Sequence, residues 1–495
     1  MVPAAALLVH LFTWQGYGWF RDEFYYVVCA RNLAWGYVDH PPLSIVVLRL
    51  VIGVFGESLQ VIRAVPAIAH AATVLLSGLI VRELHGGRFA ARVAMVSAAA
   101  APMVLSLSVF YSMNAFDLVL WCGAVYAVLI ALRTERDSAW ACVGLWLGLG
   151  LLNKVSVLWL GGGLGVALML TPYRAVIMRR GVWLAAGVAA LIFAPHIVWQ
   201  MQHHWPTLEF MQSASANKMV ARSVLTFARA AIADQGPVVA LLGVMGLIAA
   251  FSRWIDPRAR ILAWIFIAVF ALLSLNGTSR TGYLAPAWML AGTLGAMSIE
   301  RRLASRGAIA RASVVTVLVL LGAVTLPLAV PVLSTDAFVA YAAALGRKPS
   351  TEEKKVVARL PSFFADMNGW TSIVSSVDAA WRQLPLEEQT RAVFYGTNYG
   401  EAGAVDVLGP ALGMPAAVSA HNNYFLWGPP SDDINAVVVM TSNPTRWAEY
   451  FEHVQKVGET DCGDCMPYEN QRPIYIAWGR RLPWATIWPA LKHFD

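Results

Sequence analysis

Charged side chains are scarce in this chain: Asp, Glu, Lys and Arg make up 14% of its 495 residues, against roughly 25% in soluble domains. That deficit excludes an ordinary soluble protein. Acidic residues are fewest, 30 against 37 Lys and Arg, which leaves a net charge of +7. Cysteine is rare, with 5 in all, so no disulfide-dense scaffold is built here. There is no G-x-G-x-x-G or Walker pattern and hence no indicated nucleotide site. No low-complexity segment and no inverted repeat of the transporter kind is visible.

What is present is apolar: 58% of residues are hydrophobic. Val93–Val109, Leu118–Leu132, Val155–Leu170, Gly181–Val198, Pro237–Ala250, Ile261–Leu275 and Val314–Leu333 carry no acidic or basic side chain. A bilayer core demands such runs, because a spanning helix must satisfy its own backbone groups. Met1–Trp19 is read as the first span rather than as a cleaved signal, and the runs together predict about eleven transmembrane helices. Basic clusters fall at alternate turns: Arg82, Arg88 and Arg92; Arg133 and Arg136; Arg174, Arg179 and Arg180; Arg253, Arg258 and Arg260; Arg301, Arg302, Arg306 and Arg311. The positive-inside rule then puts the N-terminus in the cytoplasm and everything after Leu333 outside. These loops account for the positive net charge, so no nucleic-acid partner is called for.

Two parts are expected, a membrane domain at 1–333 and a soluble extracytoplasmic α/β domain at 334–495. In the second, β-like runs (Ala392–Tyr395, Ala436–Met440, Pro473–Trp478) alternate with helical stretches (Trp370–Leu384, Thr445–Val457). Cys462 and Cys465 form a C-x-x-C there, read as a disulfide in an exported segment rather than as half of a zinc site. The up-and-down rhythm is broken once. A structured first outer loop, residues 20–58, carries two short apolar pieces interrupted by Pro41 and Pro42, expected to lie in the membrane interface. Long structured loops are commonly functional.

The groups able to do chemistry converge on the outer face of this topology. Asp22 and Glu23 follow the first span, Asp39 and His40 precede Pro41, and Asp117 opens the fourth span. Lys154 is the sole charge between the fifth and sixth spans, and Arg280 and Tyr283 stand between the ninth and tenth. For sugar transfer, a carboxylate is the natural general base for an attacking hydroxyl. The basic groups suit a phosphate oxygen through charge-assisted hydrogen bonds. Taken singly, an N-cap explains Asp22 or Asp117, and snorkelling explains Lys154 or Arg280. A divalent metal is left open, with Asp22, Asp39, Asp117, His203 and His204 as candidate ligands and no spacing that selects among them.

Asp22-Glu-Phe-Tyr-Tyr26 followed by Gly36-Tyr-Val-Asp-His-Pro-Pro-Leu43 resembles bacterial members of glycosyltransferase family 39, relatives of the protein O-mannosyltransferases and the lipid A aminoarabinose transferases with the GT-C architecture. The resemblance runs along nearly the whole chain, through Asn153-Lys154, Trp205-Pro-Thr-Leu-Glu-Phe210 and Gly282-Tyr-Leu-Ala-Pro286. In the tail it continues through Leu360-Pro-Ser-Phe-Phe-Ala-Asp-Met-Asn-Gly-Trp370, Asn398-Tyr-Gly-Glu-Ala-Gly-Ala404 and His421-Asn-Asn-Tyr-Phe-Leu-Trp-Gly428. It implies a polyprenyl-phosphate sugar donor, inversion at the anomeric carbon, and an acceptor that is a glycan, lipid or protein outside the bacterial cytoplasmic membrane. It makes Asp22 the catalytic aspartate with Glu23 beside it. It places Tyr37, Asp39, His40, Asp117, Lys154, Arg280 and Tyr283 around the donor phosphate. His40 stands where relatives often keep lysine, and Arg280 stands near a position where many keep one. Arginine reaches and binds phosphate differently from lysine.

The fold expected is an α-helical polytopic membrane protein of GT-C type with a C-terminal α/β domain. The function expected is a membrane glycosyltransferase. The rivals are a transporter or flippase of a lipid-linked saccharide and a non-catalytic subunit of the same fold. The tail motif around Asn398 and the aromatics at Asn422–Trp427 are open between packing and substrate contact.

Overall fold

The computed structural model describes residues 1–495. Helices dominate as far as Ala344, and the strands belong to the C-terminal third. Five helices are long and apolar enough to cross a bilayer: Leu59–Glu83, Met113–Thr134, Arg180–Gln202, Ala259–Asn276 and Ala308–Ala329. Two further pairs bend sharply, by 116° after Val157–Met169 and by 114° between Val224–Gln235 and Pro237–Ala249, so the count by length and composition is seven at most. Several segments read as spans are shorter as helices. Met1–Trp19 contributes only the helix Val2–Phe12. The run Val93–Val109 breaks at Ala101, whose extended backbone precedes Pro102, as the ring of a following proline requires.

The long helices differ in what they face. Met113–Thr134 is mostly buried and forms the centre, whereas Ala308–Ala329 leaves nearly all its apolar side chains uncovered. An uncovered apolar stripe of that length suits lipid. Where two helices must approach closely, glycine stands at the crossing. A Cβ added to Gly295 would run into Leu242 of the helix Pro237–Ala249, and one added to Gly246 would strike Gly295. Small residues at crossings let membrane helices gain van der Waals contact.

The segment 20–58, expected as the first outer loop, folds as two helices, Arg21–Arg31 and Leu43–Phe55, before the helix Leu59–Glu83 begins at a Ser58 cap. In the tail, strands β1 (Ala392–Tyr395), β2 (Ala436–Met440), β3 (Phe451–Glu459) and β4 (Pro473–Arg480) form one sheet in the order β1-β2-β4-β3. β1 and β2 are parallel, and the other pairings are antiparallel. The expected helix over Thr445–Val457 is a helix only at Pro444–Tyr450; the rest is β3. Pairing with β4 supplies what local pattern cannot, since strand preference depends on neighbours. Cys462 and Cys465 are joined as a disulfide.

One apolar core ignores the expected boundary near residue 333. Phe24, Tyr25 and Val28 of the helix Arg21–Arg31 pack in the same buried cluster as Trp370, Phe394, Val438 and Ile476 of the tail. Gly403 makes this possible, because a Cβ there would stand 2.9 Å from Phe24 Cβ.

Candidate active site

The helix Arg21–Arg31 begins with a capping arrangement in which Glu23 Oε2 accepts from Phe20 N at 2.9 Å. Acidic side chains in a first helical turn are favoured by the helix dipole, and Asp22 sits there half-exposed. Its Oδ1 accepts from the Tyr399 hydroxyl at 2.8 Å and from Arg21 Nε at 3.3 Å. Its Oδ2 receives no hydrogen bond from the chain. Arg21 is itself buried between Asp22, the Tyr468 hydroxyl (2.9 Å) and Asp366 (3.6 Å). A carboxylate with one oxygen fastened and one open is arranged to receive a proton.

Glu23, expected beside Asp22 as its catalytic neighbour, is held differently. It is fully buried, and it accepts from Arg63 Nε at 2.9 Å and Nη2 at 2.7 Å, and from Tyr111 N at 2.9 Å, in addition to Phe20 N. Tyr37 is likewise enclosed. Its ring is fully buried, and its hydroxyl donates to the Cys29 carbonyl at 3.2 Å while accepting from Ala34 N at 3.1 Å.

Asp39 accepts from the Tyr25 hydroxyl at 3.0 Å and faces His40 Nε2 at 3.8 Å. Burial raises its carboxyl above the ordinary range, with His40 opposing. His40 is stacked on Tyr26 with 4.8 Å between ring centres, and its Nδ1 lies 3.1 Å from the Pro41 carbonyl. Its Nε2 is buried without a hydrogen-bond partner.

Asp117, Lys154 and Tyr283 do come together. Lys154 Nζ lies 3.6 Å from Asp117, 2.8 Å from Asn114 Oδ1 and 4.7 Å from the centre of the Tyr283 ring. Ser156 donates to both Asp117 oxygens at 3.1 and 3.2 Å. Arg280 pairs instead with Glu353 at 2.5 Å. Contacts join these groups: Arg21 beside Asp22 shares the Tyr468 hydroxyl with Lys355, which pairs with the same Glu353 as Arg280, and Tyr399 on Asp22 packs against Tyr25, which holds Asp39.

A cationic cluster escaped the sequence reading. Glu353 also lies 3.2 Å from Lys355 and 3.9 Å from Lys218, and its neighbour Glu352 accepts from Arg222 at 2.9 Å. Burial acts to raise the Glu353 carboxyl, but Lys218, Arg21, Arg280 and Lys355 together hold it well below the usual carboxylate range. The only signal in the sequence was the mixed-charge run at Glu352–Lys355, which reads equally as a solvated tail. Among the candidate metal ligands, Asp22, Asp39, Asp117, His203 and His204 do not gather into a three-ligand set. His203 Nδ1 is turned to the Trp199 carbonyl at 2.8 Å. The set that does converge is His421, His493 and Asp495, with ligand atoms within 4.8 Å of one another. The aromatics of Asn422–Trp427 pack inward: Tyr424 is buried with its hydroxyl on Asp406, and Phe425 stacks on Trp488.

This architecture defines the class: the chain has the GT-C fold. It superposes on ArnT from Cupriavidus metallidurans, in the apo state and bound to undecaprenyl phosphate, with TM-scores of 0.61 and 0.60 at 14% and 15% identity; each match covers 96% of this chain and 97% of the other. The archaeal oligosaccharyltransferase AglB from Archaeoglobus fulgidus, in complex with an inhibitory peptide and a dolichol-phosphate, matches with a TM-score of 0.52 at 11% identity, covering 93% of this chain and 74% of that one.

The resemblance to glycosyltransferase family 39 is borne out in sequence as well. The profile of the dolichyl-phosphate-mannose-protein mannosyltransferase family matches residues 39–199. That stretch holds Asp39, His40, Asp117 and Lys154 and leaves Asp22 and Arg280 outside. The lipid A galacturonosyltransferase RgtD of Rhizobium johnstonii is 28% identical over 274 residues, 53% of this chain and 56% of the relative. The alignment thus spans about half the length of that relative.

Proposed function

We propose that this chain is a membrane glycosyltransferase that moves a sugar from a polyprenyl-phosphate donor to an acceptor hydroxyl outside the cytoplasmic membrane, with inversion. The observation that carries the reading is the Asp22 carboxylate, fastened at Oδ1 and open at Oδ2, and joined through Arg21, Tyr468, Lys355 and Glu353 to Arg280. The acceptor hydroxyl attacks the anomeric carbon and passes its proton to Asp22 Oδ2. The bond from that carbon to the phosphate oxygen breaks, and its electron pair leaves on the polyprenyl phosphate. General-base assistance of this kind contributes about 10²–10⁴-fold.

Arg280 and Lys218, with His40 beside Asp39, hold the phosphate and stabilise the charge that grows on the leaving oxygen. Glu353 occupies the cations until an anion competes for them. Lys154, fixed by Asp117 over Tyr283, supplies a further positive charge at the membrane boundary. The proposed topology keeps the cytoplasmic N-terminus and the extracytoplasmic tail on the count of about eleven crossings, which rests on the alternate arginine clusters. On that topology the ionisable groups gather at one face rather than near the midplane, which supports an enzyme over a transporter.

The named relatives set the order of trials. The purified protein is incubated with undecaprenyl-phosphate sugars, a galacturonic acid donor first, with lipid A, glycan and peptide acceptors, and products are read by mass spectrometry. Transfer that depends on Asp22 supports the reading. Transfer that survives Asp22→Asn, or no release of sugar from any donor on the panel, overturns it.

A further inference from the structure

The tail motif Asn398–Ala404 has no part in the reaction described so far, yet it reaches the reacting carboxylate. We propose that Tyr399 is a positioning residue for Asp22, supplied by the C-terminal part of the chain to the site built by the first outer loop. The proposal rests on the reading of Asp22 as the general base.

Three observations lead to it. The phenol oxygen lies 2.8 Å from Asp22 Oδ1, and Tyr399 is almost fully buried. Burial raises the phenol far above its ordinary range, so it remains a donor at any working pH. Because the carboxylate turns about one bond, fastening Oδ1 from two sides decides where Oδ2 points, toward the open side from which an acceptor hydroxyl must come.

The approach is built rather than incidental. Asn398 caps the helix Tyr399–Leu408 by accepting from Gly400 N at 2.8 Å and Glu401 N at 3.0 Å. Its amide donates to Glu401 and Glu469, both at 2.9 Å, and Arg472 ties Glu401 to Thr397. The next residue, Gly400, lies against the Arg21 side chain so closely that any Cβ would collide with it. The Tyr399 ring is held between Tyr25 and His421, each with ring centres 4.8 Å away. Tyr399 N donates to His421 Nδ1 at 3.2 Å. A glycine at 400 is therefore what allows a tyrosine at 399 to reach Asp22.

A simple docking contact would give the same distance, so the test needs a readout that docking does not move. Tyr399→Phe keeps the ring and removes only the hydroxyl. A carboxylate that loses a donated hydrogen bond takes up a proton more readily. The charged groups facing Asp22 are Arg21 by contact and Asp39, Asp366 and Arg280 at longer range, all unchanged in the variant.

With undecaprenyl-phosphate galacturonic acid and lipid A, or whichever pair the panel turns over, kcat is expected to fall about tenfold or more, the scale of one hydrogen bond to a charged group. The donor KM should stay within about twofold of wild type, and the acid limb of the pH–rate profile should move to higher pH. A difference infrared titration, each protein against its own Asp22→Asn form, follows the same carboxyl without substrate, and its midpoint should rise in Tyr399→Phe. An unmoved midpoint and acid limb overturn the proposal, whether or not kcat falls, because a fall alone marks packing. If instead Asp22→Asn keeps its turnover, the general-base reading fails and the infrared result still decides the contact.

Discussion

Arg63 holds the Glu23 carboxylate with two of its nitrogens, Nε at 2.9 Å and Nη2 at 2.7 Å, and the pair is almost wholly buried. The same guanidinium donates to the carbonyls of Trp14 and Gly18, both at 2.7 Å. One arginine of the helix Leu59–Glu83 therefore ties down both ends of the turn that delivers Asp22. Removing one member of a buried pair leaves the other uncompensated, which costs about 3–5 kcal/mol. Glu23→Ala should lower the unfolding temperature in detergent markedly, and Glu23→Gln less so. Equal stability of Glu23→Ala and wild type would remove the structural role.

Asp22→Asn is the complementary case. The amide keeps the size of the side chain but takes no proton at neutral pH, so turnover should drop by about 10²–10⁴-fold. Stability and binding of the donor should change little, because Asp22 is half-exposed. A folded variant with near-normal turnover would return the role to Asp39, whose carboxyl lies in the same region.

Lys154→Ala should behave differently from both. Its Nζ is shared between Asn114 and Asp117 and lies over the Tyr283 ring. On the proposed reading its loss should weaken donor binding and leaving-group stabilisation together, raising KM while lowering kcat. An effect on kcat alone would take Lys154 away from the donor.

Asp366 carries a pH signature. Burial raises its carboxyl from the ordinary 3.8 to about 6, with Arg21 and Lys355 opposing. The folded state therefore holds this proton more tightly than the unfolded chain. The associated stability is present below pH 3.8 and is lost as pH rises through about 6, on the order of 3 kcal/mol at 1.36 kcal/mol per unit. Asp366→Asn should flatten that part of the stability–pH curve and raise the unfolding temperature at neutral pH. An unchanged slope between these limits would count against a buried neutral Asp366.

A reporter active only outside the cytoplasm, fused after Asp495, should be active. Activity of a cytoplasm-only reporter at the same point would invert the topology and move the whole site to the other face.

The sequence by itself determined the membrane class, since only long uncharged runs reconcile 58% hydrophobic residues with 14% charged ones. It also marked the strands Ala392–Tyr395 and Ala436–Met440, whose buried apolar residues run without interruption, as strands covered on both faces do. The residues at 22, 39, 117 and 154 were legible because a charge beside an apolar run stands out against its neighbours. Their roles were not. Asp22 and Glu23 are adjacent in sequence, but a helix turns successive side chains about 100° apart, and only packing decided that Glu23 faces Arg63 while Asp22 faces Tyr399. Glu353 and Tyr399 were not singled out as site residues because charges and hydroxyls in a polar tail carry no local mark, and Lys218 stands in a short polar segment outside that tail. Tyr399 reaches Asp22 across hundreds of residues, beside glycines at 400 and 403 whose missing Cβ atoms matter only once Arg21 and Phe24 are pressed against them.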